Sequence, residues 1–272
     1  MTTNVSDQPF TLHPPDARLL VGRRALVTGG DSGIGEGICF ELAAHGAAVA
    51  VNYVGAPEQA QSVVEQLEQA GAKALAVQMD VSSEPDVQRA FATVKDAFGG
   101  LDLLVNNAGV EQPFVLLDMP LETWQKVIDV NLTGAFLCAR EAARAMRDQG
   151  EAGVIVNISS VHEQIAWERF SHYCASKGGM KLFAQSIAKE LAPLGIRVVN
   201  VAPGAVDTPI NKAVLENAKE SAQVLAEVPL DRWGHVRDVA QAVAWLASEQ
   251  AGYVTGATLF VDGGMTLYPR FI

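Results

Sequence analysis

From Arg24 onward the chain alternates short β-branched runs with longer stretches of helical spacing, and this rhythm restricts it more than any other feature. The runs are ALVT, AVAVNY, ALAVQM, LDLLVN, GVIVNIS, IRVVNVA and TLFV. Strands separated in this way build repeated βαβ units around a parallel sheet. Several runs are apolar at successive positions, as strands must be when helices cover both faces of the sheet. The expected fold is α/β, a single doubly wound parallel sheet. A length of 272 residues with 49% hydrophobic content suffices for one such domain, placed at 22–272. Residues 1–21, with their Pro14-Pro15 pair, lack periodicity and read as an arm on the surface or against a neighbouring subunit. The segment from about 203 to 234 breaks the rhythm and reads as a lid, because it is long where the other strand-to-helix turns are tight.

Thirty-one acidic residues against twenty basic give a net charge of -11, which argues against nucleic acid or an anionic membrane as the main partner. Cys39, Cys138 and Cys174 are scattered through helical stretches with no disulfide or zinc spacing, so no metal is expected. The opening residues carry no basic start followed by an apolar stretch, and no run is long enough to span a bilayer. The expectation is a soluble cytoplasmic protein.

Between the first run and the helical pattern EGICFELAAHG stand Thr28, Gly29, Gly30, Asp31, Ser32, Gly33, Ile34 and Gly35. A glycine-rich strand-to-helix turn lets the backbone approach a pyrophosphate, whose charge the helix N-terminus receives. Tight turns also collect glycine for conformational reasons alone, so that reading stays open. The second run ends Asn52-Tyr53-Val54, with neither the acid that favours a free ribose nor the base that favours a 2′-phosphate. Asp31 would repel such a phosphate, so NAD is favoured and NADP remains possible. Asp80-Val81, after the third run, could face an adenine or cap a helix. Asn106, Asn107, Ala108 and Gly109 end the fourth run, where the crevice of an open α/β sheet lies, or form a tight loop held by Asn side chains.

Ser160 and His162 follow the fifth run, and thirteen positions after Ser160 come Tyr173 and, four further, Lys177. That last spacing puts phenol and amine on one helix face. Oxidising an alcohol requires a base for its proton, and a neighbouring ammonium favours the phenolate, at ~1.4 kcal/mol per unit of pKa lowering. Ser160 would hold the reacting oxygen. Each residue alone has an ordinary structural explanation, but their joint spacing behind a glycine turn makes that explanation a poor one. A Cys174 nucleophile paired with His172 is discounted, because positions two apart on a helix do not face each other.

TGxxxGIG, NNAG, the Ser-to-Tyr spacing, YxxxK and Pro203-Gly204 resemble the short-chain dehydrogenase/reductase family from Gly22 to the end of the chain. The resemblance implies a Rossmann-type fold with Tyr173 as acid/base, Ser160 as partner of the substrate oxygen, and Lys177 as Tyr modulator and ligand of the nicotinamide ribose. It adds Asn131 as holder of a water in the proton relay. Cofactor contacts are implied from Gly29, Asp31, Ser32, Gly33, Ile34, Gly35, Tyr53, Asp80, Val81, Asn107, Ala108, Gly109, Tyr173, Lys177, Pro203, Gly204, Val206 and Thr208.

Within the family, VNNAGVEQP, VIDVNLTGAFL, SSVHEQIAW, HYCASKGGMKL, PGAVDTPIN and YVTGATLFVDGGMTLYP resemble the bacillus-type glucose 1-dehydrogenases. That resemblance implies oxidation of glucose at C1 to the 1,5-lactone by a homotetramer using NAD or NADP. The chain departs from the pattern in Val54, where a basic residue is usual, in a longer arm, and in the tail Pro269-Arg270-Phe271-Ile272. A sugar pocket requires several hydroxyl partners, since each hydroxyl left unmatched on burial costs about 1–3 kcal/mol. Glu111, His162 and Asn211, with Ser160 and Tyr173, are expected to supply them. His162 lies two after Ser160, so an extended segment would turn both to one side. The alternatives are a reductase or dehydrogenase for another sugar, polyol or ketone, and a catalytically idle dinucleotide sensor.

Overall fold

The computed structural model describes residues 18–55 and 57–267, so the first seventeen residues of the arm and the tail from Pro269 lie outside it. Each predicted run supplies one strand of a seven-stranded parallel sheet, ordered β3-β2-β1-β4-β5-β6-β7. The strands are β1 (Arg24–Val27), β2 (Ala48–Tyr53), β3 (Ala74–Gln78), β4 (Leu103–Asn106), β5 (Gly153–Ile158), β6 (Ile196–Pro203) and β7 (Thr258–Val261). β4 starts two residues later than its run suggests. The Asp102 carboxylate is tied to the backbone N–H of Arg24 at 2.8 Å and to its guanidinium at 2.7 and 2.6 Å, which anchors the chain just before the strand.

Successive strand residues enter opposite cores, which is why the runs are continuously apolar. Val27, Val105, Val156 and Val199 pack with α1 (Gly33–Ala44), α2 (Pro57–Gln69) and α9 (Val236–Ala247). Leu26, Leu104, Ile155 and Val198 pack with α3 (Glu84–Phe98), α5 (Gly134–Gln149) and α6 (Ser171–Leu191). Leu20 already belongs to the first of these cores, and its N–H bonds the His45 carbonyl at 3.0 Å. Leu20, inside the predicted arm, is therefore part of the core.

The stretch from Leu121 to Gln149 is not one continuous α-helix. A π turn at Asp129–Thr133 separates α4 (Leu121–Ile128) from α5, with the Gly134 N–H reaching the Asp129 carbonyl. The extra residue in such a turn re-aims side chains, here that of Asn131. In the 203–234 segment, β6 continues to Pro203, and a parallel bridge between Val206 and Gly234 pins the two ends together. The lobe between them carries α7 (Lys212–Glu216) and α8 (Ala218–Ala226). Among the described residues no helix is long and apolar enough to cross a membrane.

Candidate active site

The site is levelled by a row of buried amides just below the carboxyl ends of the strands. Asn106, Asn157 and Asn200 stand opposite one another in β4, β5 and β6, and Thr258 of β7 continues the row. Asn106 donates to Asn157 at 2.9 Å, and Asn157 donates to Asn200 at 3.0 Å. Asn52 of β2 donates to the carbonyls of Val77 and Met79 and accepts the N–H of Gly29 at 3.0 Å. Buried amides satisfied in this way fix strand register, because slipping by a residue would orphan every one of them.

Above this row lies the glycine turn. The Asn107 amide donates to the carbonyls of Thr28 and Gly29, both at 2.9 Å, while the Thr28 hydroxyl receives the N–H groups of Asn107 and Ala108. Asn107 thus shapes the turn, as in the second reading of that loop, and its amide is committed there. Gly33 has φ +55°, and a Cβ on it would meet Thr208 and Pro209 at 3.7–3.9 Å, so the lobe leans over the turn. Gly35 is where helix meets strand most closely: a Cβ there would lie 2.0 Å from the Gly29 oxygen. The Ser32 side chain makes no capping hydrogen bond to the first turn of α1, leaving leading N–H groups there available to an anion. This combination fits a dinucleotide pyrophosphate.

Glu36, which the sequence reasoning passed over, joins Asp31 here. Burial first, then the Asp31 charge, pushes its carboxyl above the usual range. Its signal was its place in the first turn of the helix after the glycines. Val54 is 54% exposed at the end of β2, beside half-buried Tyr53. The Asp80 carboxylate holds the N–H and hydroxyl of Ser82, closing the turn before α3, and Val81 is buried against Gly134. Pro203 and Val206 are buried, and Gly204 packs against Asp262 so closely that a Cβ would lie 2.8 Å from its Cα.

At the chemical end, Lys177 Nζ lies 5.6 Å from the centre of the Tyr173 ring and donates to the Ile158 carbonyl at 2.8 Å. The Ser160 hydroxyl lies close enough to the phenol to lower its pKa and accepts the N–H of His162 at 3.2 Å. Asn131 is fully buried. Its carboxamide accepts from the Val110 N–H and donates to the Val110 carbonyl and to Ser176, whose hydroxyl donates to the Tyr173 carbonyl at 2.7 Å. Its side chain therefore braces Tyr173 and the loop after β4, and any water would have to be held by its backbone.

Burial and then the Glu111 charge push the Tyr173 phenol above its usual range, against the lowering influence of Ser160. Burial also lowers the Lys177 amine to about 8, against the pull of Glu111 and Glu163. In this dry pocket desolvation shifts both groups toward their neutral forms.

Glu111, in the loop after β4, has its carboxyl raised by burial and held back by the Lys177 charge, so the two groups influence each other electrostatically. His162 arrives by a route the sequence did not indicate. Residues 161–163 form a 3-10 turn capped by Ser160 rather than an extended segment, and the ring is placed by stacking on Trp167 at 4.5 Å. Trp167 stacks in turn on Phe170 at 3.6 Å, and Tyr173 meets both His162 and Trp167 edge-on at 6.2 and 6.1 Å. Burial keeps His162 neutral. With its Nδ1 proton on the Ile165 carbonyl, its Nε2 is left to accept a hydroxyl. Asn211 is otherwise engaged: its amide donates to the Val206 carbonyl at 2.8 Å, bracing the base of the lobe, which leaves its oxygen for a ligand. Trp167 and Phe170 were missed, because a tryptophan in a loop has no periodicity to betray it. Cys174 and His172 share α6 with no hydrogen bond between them among the described residues.

The chain from residue 29 to 266 matches the family model for enoyl-(acyl carrier protein) reductase. It is 46% identical over 252 residues to 3beta-hydroxysteroid dehydrogenase 1 of Eggerthella lenta, covering 93% of this chain and 97% of the relative. It is 43% identical over 251 residues to glucose 1-dehydrogenase 2 of Bacillus subtilis, covering 92% and 97%. Among solved structures, a gluconate 5-dehydrogenase from Burkholderia cenocepacia, in complex with NADP and tartrate, superposes with a TM-score of 0.88 at 34% identity, covering 93% of this chain and 98% of that one.

Proposed function

The chain belongs to the short-chain dehydrogenase/reductase family, an oxidoreductase family using NAD(P), and on that premise we propose that it oxidises D-glucose at C1 to D-glucono-1,5-lactone. The observation that carries the substrate is the pair of hydroxyl partners beside the reacting groups: Glu111, whose charge acts on Tyr173 and Lys177, and neutral His162, whose ring lies 6.2 Å from that of Tyr173. A sugar offers hydroxyls on every side of the reacting carbon, and such partners are what its burial requires.

Ser160 holds the C1 hydroxyl by hydrogen bond, and the Tyr173 phenolate removes its proton. A bound oxidised dinucleotide would supply the hydride acceptor and a positive charge that favours the phenolate. Lys177 in its ammonium form reinforces that effect and orients the ribose. Asn131 and Ser176 keep the phenol in place. The turn at Gly29–Gly35 takes the pyrophosphate. NAD is favoured because Asp31 and Glu36 set negative charge around the turn and exposed Val54 offers no cation to a 2′-phosphate.

A second reading has its own support. The Trp167–Phe170 stack beside Tyr173 would suit an apolar ring alcohol, and one relative is a 3beta-hydroxysteroid dehydrogenase. Absorbance at the nicotinamide band, with glucose or a 3β-hydroxysteroid and either dinucleotide, separates the two. Faster turnover of the steroid would overturn glucose, and no turnover of any alcohol or carbonyl would leave an idle sensor. Tyr173→Phe should abolish turnover while cofactor binding persists, and a variant with substantial activity would remove Tyr173 from the mechanism. A homotetramer in the cytoplasm completes the proposal. Phe136 and Leu182 leave apolar surface on α5 and α6, and three free thiols suit a reducing compartment.

A further inference from the structure

Glu163 sits one residue past His162 and has no part in the chemistry above. Its side chain is 0% exposed, yet neither carboxylate oxygen has a hydrogen-bond partner within the described structure. A carboxylate that dry must be compensated by charge. Lys181 Nζ lies 3.4 Å from it and is partly open to solvent. Lys177 precedes Lys181 by one helical turn of α6, which puts both amines on the face that meets the 161–163 turn. The helix and the turn are packed together at ordinary distance: a Cβ on Gly178 would lie 4.0 Å from the Glu163 backbone oxygen. Lys177 itself is 4% exposed, and among the described residues its ammonium donates one hydrogen bond, to Ile158.

We propose that Glu163 is the buried counter-ion of Lys177, a positioning residue that keeps the ammonium charged beside Tyr173 while Lys181 shares the same carboxylate. The charged and titratable groups facing Lys177 are Tyr173 and Lys181 from its own helix, Glu111 from the loop after β4 and Glu163 from the turn after β5. Glu111 and Glu163 both favour the charged amine. Glu111 is only half-buried and meets the substrate, so its influence changes during turnover. Glu163 is sealed, so its influence is constant.

The inference rests on reading Lys177 as the partner of Tyr173, and the test separates the two. Lys177 is titrated without turnover, by brief exposure of the whole folded protein to acetic anhydride over a range of pH and mass spectrometry of the peptide that carries it. Glu163→Gln keeps the shape and removes the charge. It should raise Lys177 labelling about tenfold at pH values below the titration, equivalent to a shift of about one unit, and Glu163→Asp should restore part of the protection. Lys181→Met leaves the carboxylate to Lys177 alone and should lower labelling. A role in packing alone would not produce opposite signs. Unchanged labelling in folded Glu163→Gln, or movement of both variants in one direction, overturns the proposal. If Glu163→Gln does not fold, Lys181→Met decides by its sign: lower labelling supports the proposal and unchanged labelling overturns it. In the pH profile of kcat, the alkaline decline of Glu163→Gln should move to lower pH. Labelling that shifts with a static kcat profile upholds the counter-ion and removes Lys177 from the mechanism.

Discussion

Adding one methyl group at Gly35 tests the cofactor turn directly. In Gly35→Ala the new Cβ would lie 2.0 Å from the Gly29 oxygen and 2.5 Å from the Asn107 amide nitrogen. Ordinary contact at such a site begins near 3.4 Å, so α1 must retreat by more than an ångström or the turn must open. Overpacking of this kind costs about 1–3 kcal/mol. The two Asn107 bonds to Thr28 and Gly29 lie in the path of the movement, and losing them adds about 1 kcal/mol each. At roughly 2–4 °C per kcal/mol for a domain of this size, Tm should fall by about 6–20 °C. The leading N–H groups of α1 move with the helix, so NADH affinity, read by fluorescence titration, should drop about a hundredfold. Gly178→Ala is the control, because its new methyl meets nothing closer than 4.0 Å and the helix gains about 1 kcal/mol of propensity. A Gly35→Ala protein with wild-type Tm and NADH affinity within threefold would refute the argument that this glycine sets the approach of helix to turn.

Asp102→Asn strips the charge from a carboxylate that is 5% exposed and holds Arg24 by three bonds, so thermal unfolding should show a loss of about 3–5 kcal/mol with kcat little changed; a loss under 1 kcal/mol would make the pair incidental. Val54→Arg should raise kcat/KM for NADP relative to NAD by supplying a partner for the 2′-phosphate, and an unchanged ratio would mean that the ribose lies elsewhere. Glu111→Gln removes an anion that raises Tyr173 and supports the charge on Lys177. Oxidation needs the phenolate, which exists above the Tyr173 pKa, so lowering that pKa carries the rising limb to lower pH. The falling limb follows as Lys177 loses its proton sooner. With a small secondary alcohol as substrate, the whole kcat profile should move toward acid by about one unit, and movement toward alkali would contradict the electrostatic reading.

The sequence determined the sheet almost strand for strand, because burial on both faces writes itself as unbroken apolar runs that need no knowledge of distant residues. It also located Tyr173 and Lys177 together, since their spacing of four is a property of one helix. The recurring Asn at the ends of those runs, in VNY, VNN, VNI and VNV, was legible in principle as a buried polar row, although only sheet pairing shows that three of them meet. What depended on the tertiary structure was everything set by long-range contact. The π turn that aims Asn131 at Val110, and the stack that carries His162 to Tyr173, come from residues with no common period. Burial set the direction of the shifts: spacing suggests that an amine beside a phenol lowers its pKa, but where water is excluded desolvation pushes both groups toward their neutral forms. The same physics sealed Glu163 away from solvent, a position that an acidic residue in a short loop gives no reason to expect.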